Sequence, residues 1–118
     1  MIRTRLALVA VVAALALVIA AAAQASTPPL AATVGPGFTI TLTQNAKKVT
    51  KLKAGTYTIK VSDKSSIHNF HLTGPGVKKT SSVSATGSST WVVKLVKGTY
   101  KYVCDPHASI MKGSFIVS

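Results

Sequence analysis

The sequence predicts an all-β fold, a Greek-key antiparallel β-sandwich of about seven strands. Three observations support this prediction. Apolar and polar residues alternate with period two in several segments, which is typical of half-buried strands. No segment after residue 25 shows the sustained 3.6-residue apolar period of an amphipathic helix. Valine, threonine, tyrosine and isoleucine dominate the alternating segments, and these residue types are enriched in strands.

The first 25 residues have the features of an export signal. Arg3 and Arg5 precede an uninterrupted apolar run over residues 6–23, and an Ala-x-Ala site ends at Ala25. We therefore expect cleavage before Ser26 and an exported protein, which would be periplasmic, secreted or held at the cell surface. The apolar run of 18 residues is also at the short limit for crossing a bilayer, so an uncleaved membrane anchor is the alternative.

The next residues are predicted to divide into a linker and one domain. Residues 26–37 contain Pro28, Pro29 and Pro36, and this composition favours an extended linker. Residues 38–118 are then the single folded domain, because a chain of 118 residues allows no second one.

The predicted strands follow in chain order, each bounded by turn residues. Residues 38–43 alternate strictly, and residues 56–62 place tyrosine, isoleucine and valine on one face. A short strand is predicted between them at 49–53. Residues 67–73 form the next strand, which a Gly-Pro-Gly turn ends.

The second half of the domain contains one long connection and three further strands. Residues 78–89 are rich in lysine, serine and threonine, and we predict a connection there with one short edge strand. The strands after it are predicted at 90–96, 99–104 and 114–117, with glycine turns between them.

The charge of the domain is strongly positive. Residues 26–118 contain twelve lysines, no arginine and two acidic residues, Asp63 and Asp105, which gives a formal charge of +10. Such a field attracts anionic partners, and we expect an acidic redox protein. Anionic membrane or wall polymers and a merely solvated lysine surface are the alternatives. We expect no nucleic-acid partner, because the domain is exported, has no arginine to read base edges and shows no aromatic–basic motif.

Segment 100–111 collects metal-ligating side chains. Cys104, the single cysteine of the chain, is followed by His107 and Met111 at Cys-x2-His-x3-Met spacing. Thiolate, imidazole and thioether are the soft and borderline ligands that copper prefers. A lone exported thiol is easily oxidised when exposed, so burial or a metal must protect it. We therefore predict a copper site on this loop.

The strand before this loop is predicted to direct the thiol inward. Alternation places Tyr100, Tyr102 and Cys104 on one face, with the two tyrosines as an aromatic floor. Pro106 then makes a rigid turn that returns His107 over the same pocket.

A mononuclear blue-copper site needs a second histidine. In the strand predicted at 67–73, His68 points inward at the strand end, whereas His71 falls on the opposite face. We therefore choose His68. Asn69 is predicted to hydrogen-bond the backbone of the Cys104–His107 loop and so to fix the ligand geometry.

Two motifs in this sequence resemble those of the cupredoxins, in particular the plastocyanin, pseudoazurin and amicyanin group. They are His68-Asn69-Phe70 and Cys104-Asp105-Pro106-His107-Ala108-Ser109-Ile110-Met111, and the resemblance covers residues 38–118. It implies one type 1 copper ion with His68, Cys104 and His107 as equatorial ligands and Met111 as the weak axial ligand. His71 is an additional histidine near this site, and it leaves a different copper geometry open.

The predicted function is electron transfer by a monomeric protein that is not an enzyme. The sequence has no paired carboxylates and no serine–histidine–acid motif. In the family that it resembles, the loop histidine lies at the surface and passes the electron, which is the role implied for His107. We expect an apolar rim around this histidine from Pro106, Ala108 and Ile110, with Pro36 and Pro75 as additions. A copper carrier without a redox partner and a metal-free binding module are the alternatives.

Overall fold

The computed structural model describes residues 27–118, so the export signal or anchor predicted at residues 1–25 lies outside the described part. The described residues form two five-stranded sheets that enclose one hydrophobic core. No helix in this part of the chain is long enough and apolar enough to cross a membrane.

Each sheet combines strands from both halves of the domain. The first sheet consists of β1 (Leu30–Val34), β2 (Ile40–Gln44), β3 (Lys47–Lys48), β5 (Gly55–Asp63) and β8 (Gly87–Leu95), in the spatial order β3-β2-β1-β5-β8. The second consists of β4 (Lys51–Leu52), β6 (His71–Gly74), β7 (Val77–Thr80), β9 (Gly98–Val103) and β10 (Lys112–Val117), in the spatial order β4-β10-β9-β6-β7.

The predicted all-β sandwich is confirmed, with two differences in detail. Residues 27–118 contain ten strands rather than about seven. β1 lies in the segment predicted as a linker, the two-residue β3 leaves no alternation signal, and β7 is the short edge strand expected in the long connection. Most pairings are antiparallel, but β1 pairs with β5 and β4 pairs with β10 in parallel. These parallel partners are distant in sequence, which fits the need of parallel strands for long connections.

Strand β1 corrects the predicted linker at residues 26–37. Leu30–Val34 lies between β2 and β5 and is hydrogen-bonded to both, and three of its alternate side chains are fully buried. The prolines that suggested a linker stand before and after this strand and only delimit it. The folded domain therefore includes residue 30 and does not start at residue 38.

The strand predicted at 67–73 also differs from the observed one. β6 begins at His71, so His68 lies in the loop between β5 and β6 rather than on a strand. The side chain of Ser81 accepts a hydrogen bond from Phe70 N at 2.8 Å, and Ser81 N donates to Phe70 O at 2.9 Å. A side-chain bond thus replaces the regular ladder just before His71 and ends the strand there.

The inward orientation predicted for Tyr100, Tyr102 and Cys104 is confirmed, because all three side chains are buried. Tyr100 and Tyr102 are buried, and their rings stack on Phe115 and Phe70 with centroid distances of 5.3 and 5.4 Å. The Tyr100 ring lies directly over Gly74, where a Cβ atom would overlap the ring. Glycine at this position therefore permits the close approach of β6 to the ring.

Candidate metal centre

The side chains predicted to bind copper lie on two loops at one end of the sandwich. Cys104 follows β9 directly, and His107 ends a short 3₁₀ turn at Asp105–His107. Met111 precedes β10, and His68 comes from the loop between β5 and β6. The sequence reasoning therefore identified residues that the fold brings to one place.

The loop from Cys104 to Met111 is closed by its own backbone. Cys104 N donates to Met111 O at 3.0 Å, Met111 N donates to His107 O at 2.8 Å, and His107 N donates to Cys104 O at 3.0 Å. Pro106 lies in the 3₁₀ turn, where its fixed φ suits the first turn and its missing N–H is not needed. The predicted rigid turn at this proline is confirmed.

Three donor atoms converge in this loop region. The Nδ1 atoms of His68 and His107 are 3.0 Å apart, and each lies 3.6 Å from the Sγ atom of Cys104. A triangle with these sides has a point about 2.0 Å from every corner, which is close to ordinary metal–imidazole and metal–thiolate bond lengths. Two imidazoles and one thiolate in a trigonal arrangement are the donor set of a blue-copper site.

Burial of the donors fits a closed centre. Cys104, His68 and Met111 are fully buried, whereas His107 is partly exposed. The sulfur of Met111 is the soft donor that a blue-copper site takes as a weak axial ligand. His68, Cys104, His107 and Met111 together fit a single type 1 copper ion.

Asn69 braces the two loops against each other, as the sequence predicted. Its Oδ1 atom accepts a hydrogen bond from Asp105 N at 2.7 Å. Its Nδ2 atom donates to Asp105 Oδ2 at 2.7 Å and to Thr80 Oγ1 at 3.1 Å. Because Asn69 is buried and adjacent to His68, these bonds fix the distance between the two ligand-bearing loops.

His71 is not part of the donor triangle and binds Asp105 instead. The distance between His71 Nδ1 and Asp105 Oδ1 is 2.9 Å. Hydrogen bonds from His71 and then from Asn69 hold the pKa of the Asp105 carboxyl below its ordinary value of 3.8. The sequence reasoning missed this role of Asp105, although an acid beside the single cysteine of a lysine-rich chain was a usable signal.

Phe38 is a second residue whose role the sequence reasoning missed. It was predicted to start a strand, but β2 begins at Ile40 and the Phe38 side chain is 58% exposed. Its ring meets the His68 and His107 rings edge-on, with centroid distances of 5.4 and 4.9 Å. The Gly-Pro-Gly segment directly before Phe38 was the signal for a loop residue.

The predicted apolar rim is partly corrected. Ile110 is 64% exposed, and Pro106 and Ala108 are exposed on the same loop. Pro75 was predicted to join them, but it packs at Gly98, where β9 begins, whereas the donors lie where β9 ends. That prediction is wrong because β6 runs antiparallel to β9 and carries its last turn to the far end of the sandwich.

Comparisons with known proteins agree with the fold and with copper binding. The family model for copper-binding proteins of the plastocyanin/azurin family matches residues 29–118. Two similar solved structures are rusticyanin from Thiobacillus ferrooxidans, with 23% identity and a TM-score of 0.55, and reduced rusticyanin, with 21% identity and a TM-score of 0.57. The aligned part covers 80% of this chain in both cases and 79% and 81% of the rusticyanin chains. At these identities the likeness shows a shared fold. No curated protein sequence matches the chain significantly.

Proposed function

The chain belongs to the plastocyanin/azurin family of copper-binding proteins, and on that basis we propose that it transfers electrons through one type 1 copper ion. His68, Cys104 and His107 are the proposed equatorial ligands, and Met111 is the axial ligand. The observation that carries this proposal is the donor triangle of two Nδ1 atoms and one Sγ atom, with sides of 3.0, 3.6 and 3.6 Å. Copper, when bound, supplies the one-electron Cu(I)/Cu(II) couple.

The protein contributes a site whose shape resists change. The backbone bonds that close the Cys104–Met111 loop and the bonds of Asn69 to Asp105 hold the ligands from outside. Donors fixed in this way need little rearrangement when the charge of the ion changes by one unit. This rigidity favours electron exchange over a carrier function, which needs ligands that open to release the ion.

The proposed route for the electron is His107. This imidazole is the partly exposed member of the triangle, and Phe38, Ile67 and Ile110 form exposed apolar surface on the same loops or in contact with them. An apolar surface around His107 supports short-lived docking of a redox partner. Such a surface excludes water from the contact, but it forms no strong ion pairs that would slow the release of the partner.

We also propose that the protein is an exported monomer whose redox partner is acidic and that it is not an enzyme. The apolar run and the Ala-x-Ala site before Ser26 support export. The exposed position of all twelve lysines of residues 27–118 supports an acidic partner. Four donors from the protein around one ion would leave no open position for a substrate.

Absorption and electron paramagnetic resonance spectra of the copper-loaded protein test this proposal. We expect an intense blue band from the thiolate, which Cys104→Ser abolishes and His68→Asn strongly alters. His71→Asn is the matched control, because it removes a nearby histidine that binds Asp105, and it should keep the blue band. Met111→Leu should keep the colour but raise the reduction potential, since the axial ligand tunes it.

Two results would contradict the proposal. A copper-loaded protein without the intense visible band would remove the type 1 assignment. A blue protein that binds Cu(I) tightly but exchanges electrons slowly would favour the copper carrier instead.

A further inference from the structure

A second cleft lies apart from the donor triangle, at the open edge between the two sheets. Its volume is about 370 Å³, within the range of small-molecule sites. Val61 and Asp63 of β5 line it, together with residues 80–82, which follow from the end of β7, and residues 85–89, which lead into β8. None of the proposed copper ligands lines this cleft.

Asp63 brings a buried carboxyl group into the cleft. Its residue is 6% exposed, and its Oδ1 atom accepts a hydrogen bond from Ser65 N at 3.0 Å. Its Oδ2 atom is buried and has no hydrogen-bond partner within residues 27–118. Buried polar atoms are nearly always paired, and a carboxylate oxygen left unpaired is costly. The carboxyl group therefore has acceptor capacity that residues 27–118 leave unused, and Asp63 is part of the lining of the cleft.

The remaining lining supplies hydroxyl groups and one aromatic ring. Thr80, Ser82, Thr86 and Ser88 each add a hydroxyl, which both donates and accepts hydrogen bonds. Trp91, the single tryptophan of the chain, is half-buried and lines the cleft with a large flat surface. Many hydroxyls beside an apolar ring suit a ligand that itself combines hydroxyl groups with apolar C–H faces.

The charge of the lining decides between ligand classes. No lysine lines this cleft, whereas four other clefts in the described residues each include at least one. An anion would meet Asp63 and no counter-charge. A cation would meet one carboxyl group in a domain of formal charge +10. A neutral ligand avoids both costs.

We propose that this cleft binds a neutral, polyhydroxylated molecule of monosaccharide size. The Asp63 carboxyl group accepts hydrogen bonds from the hydroxyls of this ligand, and the apolar face of the ligand lies on Trp91. The cleft also shares Thr80 with the metal centre, since Thr80 Oγ1 accepts the hydrogen bond from Asn69 Nδ2. A molecule bound in the cleft is therefore expected to change the environment of the Asn69 side chain, which braces the two loops that carry the metal donors.

Nuclear magnetic resonance of the ¹⁵N-labelled, copper(I)-loaded protein tests the proposal directly. The probes are methyl α-glucoside, methyl α-galactoside and N-acetylglucosamine, each titrated separately, with methylammonium and phosphate as charged comparisons. We expect at least one sugar to shift the Trp91 indole N–H and the Asn69 side-chain amide signals saturably, with a millimolar dissociation constant. Neither charged probe should bind as tightly.

Variants connect the signal to the cleft. Asp63→Asn keeps an oxygen for Ser65 N but removes the charged acceptor, and it should weaken sugar binding about tenfold or more. Thr86→Val and Ser88→Ala change exposed rim residues without touching the core, so they test the site even if Asp63→Asn folds poorly. Ser114→Ala, an exposed serine on β10 that does not line the cleft, is the matched control and should bind as the wild type does.

The proposal is overturned if none of the three sugars produces saturable shifts. It is equally overturned if methylammonium or phosphate binds more tightly than every sugar. Sugar binding that survives both Asp63→Asn and the two rim variants would place the ligand elsewhere and would also refute it.

Discussion

At the scale of single residues, the centre depends on Asp105 as well as on its donors. Asp105 follows Cys104 as the first residue of the 3₁₀ turn, and its carboxylate binds His71 and Asn69. The carboxylate therefore ties the cysteine loop to the residues that follow His68. An acid at this position stabilises the loop by hydrogen bonds rather than by binding the metal.

This arrangement predicts an acid-sensitive contribution to stability. The pKa of Asp105 is lower in the folded protein than its ordinary value of 3.8, so the unfolded chain takes up the proton first as the pH falls. The stabilisation is complete above about pH 5 and is lost as the pH falls through the folded pKa. Asp105→Asn should therefore lower the free energy of unfolding at neutral pH but leave it nearly unchanged well below pH 3.8.

Urea unfolding of the copper-free protein and of Asp105→Asn over a range of pH values checks this expectation. The effect should be modest, because the carboxylate is 49% exposed and solvent screens it. His71→Asn removes the largest cause of the pKa shift and should move the acid transition to higher pH. A difference between wild type and Asp105→Asn that does not vary with pH would contradict the assigned role.

The residue scale also shows what could be predicted without a structure. The donors were identified because ligand chemistry restricts their residue types and the loop fixes their spacing. Asp105 and Phe38 were not, because their partners His71 and the two imidazoles come from separate segments. A local pattern can mark Phe38 as a loop residue and Asp105 as an unusual acid, but it does not say which distant side chains these two residues contact.

At the scale of elements, β1 is the feature that local pattern reasoning misjudged. Its five residues alternate in burial, but the prolines on both sides and the glycines after it resemble a linker more than a strand. This segment is a strand because it lies between β2 and β5 and its backbone is hydrogen-bonded to both. Such tertiary pairing overrides local propensity.

A pair of neighbouring substitutions in β1 tests its place in the core. Ala32 is fully buried and Ala31 is exposed, so aspartate at these two positions should have unequal effects. Ala32→Asp buries an unpaired carboxylate and should cost about 3 kcal/mol or more. Ala31→Asp should cost about 1 kcal/mol or less. Thermal and urea unfolding measure both values, and equal small effects would restore the linker interpretation.

At the scale of the whole molecule, the positive charge lies entirely on the surface. All twelve lysines of residues 27–118 are exposed, whereas Asp63 is buried and Asp105 is bound by two neighbours. Composition was enough to predict the sign of this charge. Its spread over both sheets could not be predicted, because it depends on which strand faces turn outward.

Small redox reagents of opposite charge test the effect of this surface without a known partner. We expect hexacyanoferrate(III), an anion, to oxidise the copper(I) protein more slowly as salt increases, by about tenfold between low and high ionic strength. A cationic cobalt(III) phenanthroline complex should show the opposite trend and serves as the control. Rates that do not depend on salt would show that the lysine surface does not attract anionic redox partners.

The direction of β1 has a consequence for the orientation of the molecule. The strand runs from Leu30 toward Val34, and Gly35, directly after it, lies against Ser65 and His68. Leu30 is therefore at the opposite end of the sandwich from the metal donors. Any polypeptide or surface attached ahead of residue 30 is joined to the pole farthest from His107. A tether ahead of residue 30 would therefore leave the donor end of the sandwich, with the partly exposed His107, turned away from the point of attachment.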